Sequence, residues 1–181
     1  MTSDASTSDA SGRFWPGDIF ATLRRHDVSI VAYVPDAGHA ALIRMTQADN
    51  AMQTVLLTSE EEGIGVLAGA WLGGRRGVLL MQSSGVGNCI NMLSLTRSAR
   101  FPFLTLVTMR GEFGEINHWQ VPMGTATERA FHLMDVKTLR ADQPAEVSAI
   151  VEAGASQCFG GGTPTAVLLS QRLIGAKSFV K

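Results

Sequence analysis

Charged residues are scarce in this sequence. Asp, Glu, Lys and Arg make up 17% of the 181 residues, against about 25% in a typical globular protein. The formal net charge is −1, which argues against nucleic acid or an anionic membrane as the main partner. Few charges together with 19 Gly and 8 Met are typical of a small domain with much of its surface covered by a partner.

Several other signals are absent. No uninterrupted apolar run reaches 18 residues, so no transmembrane helix is expected, and the N-terminus lacks the pattern of a signal peptide. The two cysteines, Cys89 and Cys158, have no metal-ligand spacing and are predicted to be reduced, buried thiols. These features fit a cytoplasmic protein. Without a G-x-S-x-G motif there is no hydrolase signal.

The length favours one domain. Residues 1–12 are almost entirely Ser, Thr, Asp, Ala and Gly, which predicts a disordered tail, and residues 13–181 form the domain. Within it, predicted helices alternate with six short strands that are apolar throughout: 28–34, 54–57, 77–81, 103–109, 136–139 and 165–169. This pattern indicates a three-layer α/β/α fold with a central, mainly parallel six-stranded sheet.

Sites in such folds lie beyond the carboxyl ends of the strands. The first strand is followed by Pro35 and Asp36, and the third by a glycine-containing loop over residues 82–88. That loop offers backbone N–H groups to an anion, or it allows tight packing of strand on helix. It matches neither the Walker A nor the G-x-G-x-x-G motif.

The fourth strand is followed by Arg110 and a long loop over residues 113–124, which contains His118 and Gln120. Arg110 suits either a substrate anion or an ion pair with Glu112 or Glu115. A loop histidine is more often a surface residue, although loops above strand ends do carry function.

The second strand is followed by a helix that opens with Glu60, Glu61 and Glu62 after a possible N-cap, Ser59. Carboxylates in a first turn suit the positive end of the helix dipole. Successive helical residues point about 100° apart, so the three carboxylates cannot share one environment. Each glycine in this helix, at 63, 65 and 69, costs about 1 kcal/mol relative to Ala, which indicates that something packs closely on it.

Two motifs at consistent spacing resemble the pyrimidine-binding (Pyr) domain of thiamine diphosphate enzymes of the 2-oxo acid decarboxylase and acetolactate synthase type. One is Glu61 followed by Ala68 and Trp71; the other is the strand, loop and helix over residues 77–91. The resemblance covers residues 14–175. Within this group the alpha subunits of sulfopyruvate decarboxylases look most similar, and phosphonopyruvate decarboxylases nearly as similar.

The resemblance implies a role for each matched position. Glu61 corresponds to the glutamate that hydrogen-bonds N1′ of the cofactor's aminopyrimidine, so it is expected to be buried at a subunit boundary, with Glu60 and Glu62 at the surface or interface. His118 is implied in proton transfer, and no residue is implied as a metal ligand. The loop is expected to contact the pyrimidine and the substrate region through Gln82, Ser83, Ser84, Gly85 and Asn88. The substrate side is assigned to Pro35, Asp36, Arg110 and Gln120.

One element of the family pattern is missing. Enzymes of this type hold the diphosphate and Mg²⁺ through a Gly-Asp-Gly motif followed by an Asn, and this sequence has no such motif. The resemblance therefore implies half of a site, completed by a beta subunit with a diphosphate-binding (PP) domain in a hetero-oligomer of paired Pyr and PP domains. Gly63, Gly65 and Gly69 would be the close-approach side of that interface.

The implied substrate is a small 2-oxo acid, first 3-sulfopyruvate, then 3-phosphonopyruvate or another oxo acid used by a related decarboxylase or carboligase. A non-catalytic binding or regulatory protein that retains the fold is the alternative from a different class.

Overall fold

The computed structural model describes residues 14–175, so the predicted disordered tail, residues 1–12, lies outside the described residues. Its centre is one six-stranded sheet in which every neighbouring pair is parallel, in the order β2-β1-β3-β4-β6-β5. The strands are β1 (Val28–Tyr33), β2 (Gln53–Leu56), β3 (Arg76–Gln82), β4 (Leu104–Thr108), β5 (Lys137–Ala141) and β6 (Thr165–Leu169). The prediction of an α/β fold with a parallel sheet is confirmed.

The central strands are the apolar ones. All five residues of β4 and of β6 are buried, as are the five inner residues of β3. Both faces of a parallel sheet are covered by helices, so its inner strands are apolar throughout rather than alternating. The two edge strands, β2 and β5, are only partly buried.

Helices cover both faces and complete the three layers. They are α1 (Trp15–Arg25), α2 (Ala40–Ala48), α3 (Glu60–Leu72), α4 (Ser83–Cys89), α5 (Ser94–Ala99), α6 (Val121–Leu133), α7 (Pro144–Phe159) and α8 (Gln171–Ile174). On one face, α1, α2 and α7 bury Trp15, Leu42 and Val151 in a single core cluster. On the other, α3, α4 and α6 bury Ile64, Val86 and Phe131 in a second cluster.

Two predicted loops are shorter than the sequence indicated. The expected loop over residues 82–88 is helical from Ser83 onward, because packing compensates the low helix propensity of Gly85 and Gly87. A Cβ at Gly87 would lie 3.3 Å from the sulfur of Met123, in α6. The expected loop over 113–124 ends where α6 begins, at Val121, and Pro122 suits a first helical turn.

Both cysteines are buried and unpaired, as predicted. Burial raises the pKa of each thiol to about 12, and at Cys89 the charges of Glu60 and Glu61 act in the same direction. Neither thiol is therefore reactive at neutral pH. Among the helices of residues 14–175, none has the length and apolar character needed to cross a membrane.

The strand order creates a crevice at one point. From β1 the chain moves outward to β2 and then returns to add β3 on the other side of β1. The segments leaving β1 and β3 therefore diverge at the carboxyl edge of the sheet, where open α/β folds bind ligands.

Candidate active site

A small cleft of about 140 Å³ lies where β1 and β3 end. Its lining residues come from the segment after β1, from the first turn of α3 and from the junction of β3 with α4: Val34, Pro35, Asp36, Glu60, Gln82 and Ser84. The structure thus brings together four of the predicted site residues. Sites for small molecules usually measure about 300–1,000 Å³, so this cleft encloses only part of such a ligand.

Larger hollows have less suggestive chemistry. One of about 440 Å³ shares Pro35 and Asp36 with the cleft, is mainly apolar and has Arg44 among its lining residues. A second of about 390 Å³ sits beyond β5 and β6, where Arg140 is already paired with Glu112 and Asp142. Another of about 400 Å³ is mainly apolar and lies between α5 and the end of α6. We place the candidate active site at the smaller cleft because polar groups converge there at the switch in strand order.

The carboxylate of Asp36 accepts three hydrogen bonds in the cleft. Its Oδ1 accepts from Nε2 of Gln82 at 2.9 Å. Its Oδ2 accepts from the backbone N–H of Gly38 at 3.0 Å and from Oγ1 of Thr108 at 2.7 Å. Burial raises the pKa of Asp36, but nearby His39 and these hydrogen bonds outweigh it, so the pKa lies below its ordinary value. The carboxylate is therefore ionised at neutral pH.

The amide of Gln82 extends this network. Its Oε1 accepts from Oγ of Ser84 at 2.9 Å and from Nε2 of Gln120 at 2.8 Å. Gln120 is buried, and its own Oε1 lacks a hydrogen-bond partner within the described residues. Four predicted residues from three segments, namely Asp36, Gln82, Ser84 and Gln120, thus form one connected network.

Ser83 has a different environment. It is fully buried, and its hydroxyl accepts a hydrogen bond from the backbone N–H of Arg110 at 3.0 Å. Ser83 therefore joins the end of β3 to the end of β4 and does not line the cleft. A direct contact between this hydroxyl and a cofactor would require that join to open.

The three glutamates differ as their helical directions require. Glu60 is 9% exposed, and its Oε2 accepts from Nδ2 of Asn88 at 2.8 Å. Glu62 is exposed and accepts from the backbone N–H of Thr58 at 3.0 Å. The expectation of a surface position for Glu60 is therefore wrong, while a place at an interface stays a prediction. Glu62 is at the surface.

Glycine at position 85 is what makes room for Glu60. A Cβ there would overlap the Glu60 carboxyl group. Gly85 and Asn88 enclose and hydrogen-bond this carboxylate. The cofactor contact assigned to both from sequence stays a prediction. The signal that identifies Glu60 is thus in α4 and not in α3 itself.

Glu61 is partly exposed in the chain by itself, and Oγ of Ser59 donates to its Oε2 at 2.7 Å. Ser59 occupies the N-cap position of α3, as predicted, but its side chain makes no capping hydrogen bond. Glu61 is not among the cleft-lining residues. Burial of Glu61 at a subunit boundary stays a prediction.

The glycines of α3 fall into two groups. A Cβ at Gly63 would lie 2.5 Å from Cδ1 of Leu79, in β3, so Gly63 packs against the chain's own sheet. Its assignment to an interface was wrong. Gly65 and Gly69 have open space where a Cβ would be, and they follow Glu61 at intervals of four, which places the three on one face of the helix.

Arg110 is committed to an ion pair. Its side chain is 3% exposed and that of Glu115 is 2% exposed, with Nε and Nη2 of Arg110 each 3.0 Å from Oε2 of Glu115. Nε2 of Gln171 also donates to this oxygen, at 2.9 Å. Burial raises the pKa of Glu115, but Arg110, the Asn117 backbone N–H and Gln171 lower it by more, so that the pKa is about 2. This pair is the alternative that the sequence left open for Arg110, and substrate contact would require it to break.

His118 is exposed in a 3-10 turn over His118–Gln120 and does not line the cleft. The turn orients its members differently, because Gln120 is buried in the hydrogen-bond network while Trp119 is 65% exposed. Proton transfer by His118 stays a prediction. Within residues 14–175, no three His, Cys, Asp or Glu side chains are grouped so as to hold a metal ion.

Sequence reasoning missed three residues of this region: Glu60, Thr108 and Gln171. Thr108 follows the rule that polar residues at strand ends face the site, and it was predicted only as part of a strand. Gln171 lies far along the chain, yet its Oε1 accepts from the backbone N–H groups of Glu112 and Phe113, both at 3.0 Å. Nothing local in the sequence identifies that contact.

Comparison with known proteins places these observations in a family. No protein-family model matches the chain. The alpha subunit of sulfopyruvate decarboxylase from Methanococcus maripaludis is 32% identical over 152 residues, which cover 83% of this chain and 91% of the relative. The chain belongs to the family of sulfopyruvate decarboxylase alpha subunits.

Other members and neighbours agree with this. The sulfopyruvate decarboxylase alpha subunit of Methanothermobacter thermautotrophicus is 36% identical over 129 residues, covering 71% of this chain and 78% of the relative. Phosphonopyruvate decarboxylase of Streptomyces hygroscopicus is 38% identical over 130 residues, but these cover 70% of this chain and only 32% of that protein. The match with the alpha subunits thus covers most of the length of those relatives.

A solved structure shares the fold. The 2-oxoglutarate:ferredoxin oxidoreductase of Magnetococcus marinus superposes with a TM-score of 0.68 at 10% identity, over 88% of this chain and 29% of that one. At this identity the similarity concerns the fold alone.

Proposed function

We propose that this chain is the Pyr-domain alpha subunit of a heteromeric, thiamine diphosphate-dependent decarboxylase that converts 3-sulfopyruvate into sulfoacetaldehyde and CO₂. The observation that carries the proposal is membership of the alpha-subunit family over most of its length. The convergence of Asp36, Gln82, Ser84 and Gln120 at the switch in strand order supports it.

The residues present fit one part of the cofactor. Glu61 offers a partly exposed carboxylate beside α4, and Gln120 offers a buried amide oxygen that lacks a donor within the described residues. A carboxyl group that holds a proton suits the ring nitrogen of an aminopyrimidine, which accepts, and an amide oxygen suits its amino group, which donates. The cleft of about 140 Å³ is too small for the whole cofactor, so the diphosphate and Mg²⁺ belong to the partner's PP domain.

In the bound state, thiamine diphosphate supplies an electron sink for the electron pair released as CO₂ leaves. The chain's own contribution is to bind and orient. Glu61 would hold a proton between its carboxylate and the pyrimidine ring nitrogen. Gln82 and Ser84 would line the region beside it, held in place by Asp36. Contact with the partner would cover Glu61 and exclude water, which strengthens such a hydrogen bond.

The cleft has the wrong charge to hold the substrate by itself. 3-Sulfopyruvate carries a carboxylate and a sulfonate, while the six lining residues include two carboxylates, Asp36 and Glu60, and no cation. Arg110 is held by Glu115, and Arg44 lines the neighbouring hollow instead of the cleft. The groups that bind the two anionic ends therefore come mainly from the partner subunit.

The test is reconstitution. The chain is co-expressed with its PP-domain partner, and release of CO₂ and aldehyde is measured with sulfopyruvate, phosphonopyruvate and pyruvate. We expect turnover only for the complex supplied with thiamine diphosphate and Mg²⁺, with the highest kcat/KM for sulfopyruvate. Preference for phosphonopyruvate would favour the second candidate, for which the Streptomyces relative provides the support. Lack of any turnover by an assembled complex would favour a non-catalytic binding or regulatory protein.

A further inference from the structure

Side-chain amides have no fixed direction of their own. The amide group of a glutamine donates through its nitrogen and accepts through its oxygen, and rotation by about 180° exchanges the two. In the network of the cleft, Gln82 lies between Asp36 on one side and Ser84 and Gln120 on the other. Which atoms a ligand would meet depends on which way these amides face.

One charge decides the direction of the whole chain of hydrogen bonds. An ionised carboxylate only accepts, so Gln82 must turn Nε2 toward Oδ1 of Asp36, which it does at 2.9 Å. Its Oε1 then faces the other way and needs donors. Gln120 must therefore turn Nε2 toward it, at 2.8 Å, although Gln120 has no hydrogen bond to Asp36.

Asp36 is itself fixed. Its second oxygen accepts from the backbone of Gly38 and from Thr108 at the end of β4, so three donors hold the carboxylate between two strand ends. One ionisable neighbour is Glu60, which lines the same cleft, and another is Arg44, which lines the neighbouring hollow together with Asp36. A third is His39, which is fully buried and has Nε2 3.0 Å from the carbonyl oxygen of Leu106. Both Asp36 oxygens are already engaged, which suits a group that holds others in place.

We propose that Asp36 is a positioning residue whose charge fixes the direction of the Asp36–Gln82–Gln120 hydrogen-bond chain, so that Gln82 and Gln120 present one defined set of amide atoms to the ligand. This rests on the proposed function only for the identity of that ligand. The sequence assigned Asp36 to substrate contact, and the proposal replaces that role by an action through Gln82.

The first test needs no catalysis. The side-chain NH₂ signals of Gln82 and Gln120 are followed by NMR in the ¹⁵N-labelled full chain and assigned with Gln82→Met and Gln120→Met. Asp36→Asn is expected to shift the Gln120 signals about as far as Gln82→Met does, although Asp36 has no hydrogen bond to Gln120. The matched control, Thr108→Val, removes one donor from the same carboxylate but keeps its charge, and it should leave the Gln120 signals in place.

The proposal would be overturned if the Gln120 signals did not move in folded Asp36→Asn. It would also be overturned if the Gln120 signals did not move in Gln82→Met. If Asp36→Asn does not fold, Asp36→Glu decides, because it keeps the charge. The Gln120 signals should then stay near their original positions, and a shift as large as that of Gln82→Met would contradict the proposal.

The second test separates positioning from substrate contact. In the complex with the partner subunit, Asp36→Asn should lower kcat by about 10²-fold, the loss that misplacement by about 1 Å can cause, with KM changed by less than about threefold. A loss confined to KM would mean that Asp36 contacts the substrate. If the complex has no decarboxylase activity at all, the proposed function fails, while the NMR measurement still decides the role of Asp36.

Discussion

Glu60, Glu61 and Glu62 show how one helical step separates three identical side chains. Glu60 turns inward to Asn88 and Gly85, Glu61 lies partly exposed beside Ser59, and Glu62 faces solvent. The direction of each follows from the helix, but which direction is inward depends on where α4 packs. Substitutions at these positions should therefore have separable effects.

Glu61→Gln should remove activity and leave the chain folded. In the reconstituted complex we expect kcat to fall by about 10²-fold or more, because the carboxylate interaction with the reacting cofactor is lost. The free energy of unfolding of the chain should change by less than about 0.5 kcal/mol, since Glu61 is partly exposed. Glu62→Gln is the matched control and should retain activity. Full activity in Glu61→Gln would exclude the assigned role.

Asn88→Ala should destabilise the chain by about 1–3 kcal/mol, because it leaves the buried Glu60 carboxylate without its side-chain donor. Urea denaturation followed by circular dichroism measures the difference. Asn91→Ala, on the exposed turn after α4, is the control and should change stability little. Equal effects of the two variants would show that the Glu60–Asn88 hydrogen bond contributes nothing measurable.

At the scale of elements, α3 has two kinds of glycine. Gly63 faces Leu79 in a fully packed layer, while Gly65 and Gly69 line the open face that also carries Glu61. The sequence identified all three as unusual for a helix but could not distinguish a contact with the chain's own sheet from one with a partner. The distinction comes from the position of β3.

Replacement of these glycines by alanine should separate the two kinds. Gly63→Ala should destabilise the isolated chain, since the added methyl meets Leu79. Gly65→Ala and Gly69→Ala should each stabilise it by up to about 1 kcal/mol through helix propensity, yet weaken assembly with the PP-domain partner. Thermal unfolding and analytical ultracentrifugation measure the two effects. Unchanged assembly in both surface variants would exclude this face as the interface.

The loop between β4 and α6 depends on the buried pair of Arg110 and Glu115. Glu115→Gln should lower the free energy of unfolding at pH 7 by about 3–5 kcal/mol, because Arg110 is left buried without its counter-charge. The pKa of Glu115 falls from 4.5 to about 2 on folding, so its contribution is complete above about pH 4.5 and is lost as the pH falls toward 2.

The difference in the free energy of unfolding between the unchanged chain and Glu115→Gln should therefore narrow as the pH falls from 4.5 to about 2. Denaturant titrations at several pH values measure it, and Glu112→Gln provides a comparison at a more exposed ion pair. A gap that is independent of pH between 4.5 and 2 would contradict this account.

For the molecule as a whole, the cleft provides polar positions but no cation among its lining residues. The isolated chain should therefore show no binding of sulfoacetate by calorimetry at millimolar concentration, whereas the complex with its partner should bind it. Sodium acetate at matched ionic strength is the control for non-specific anion binding. Equally tight binding by the isolated chain would mean that this subunit holds the sulfonate by itself.

The sequence by itself determined the alternation of strands and helices, because the apolar runs and the glycines and prolines between them are local signals. It also indicated which strand ends carry the site, since that follows from the parallel fold. Pro35, Asp36, Gln82 and Ser84 follow such strand ends. Gln120 was assigned through the family resemblance, which was readable from two motifs.

Tertiary structure decided which of these residues touch. Distant segments of the chain determine that Glu60 is buried against α4 and that Gly63 packs against β3. They also bring the Ser83 hydroxyl to the end of β4. The folding of the loop after β4 selects Glu115 as the partner of Arg110. Periodicity gives the angle between neighbouring side chains on a helix, but only the packing of helix against sheet shows which angle points inward.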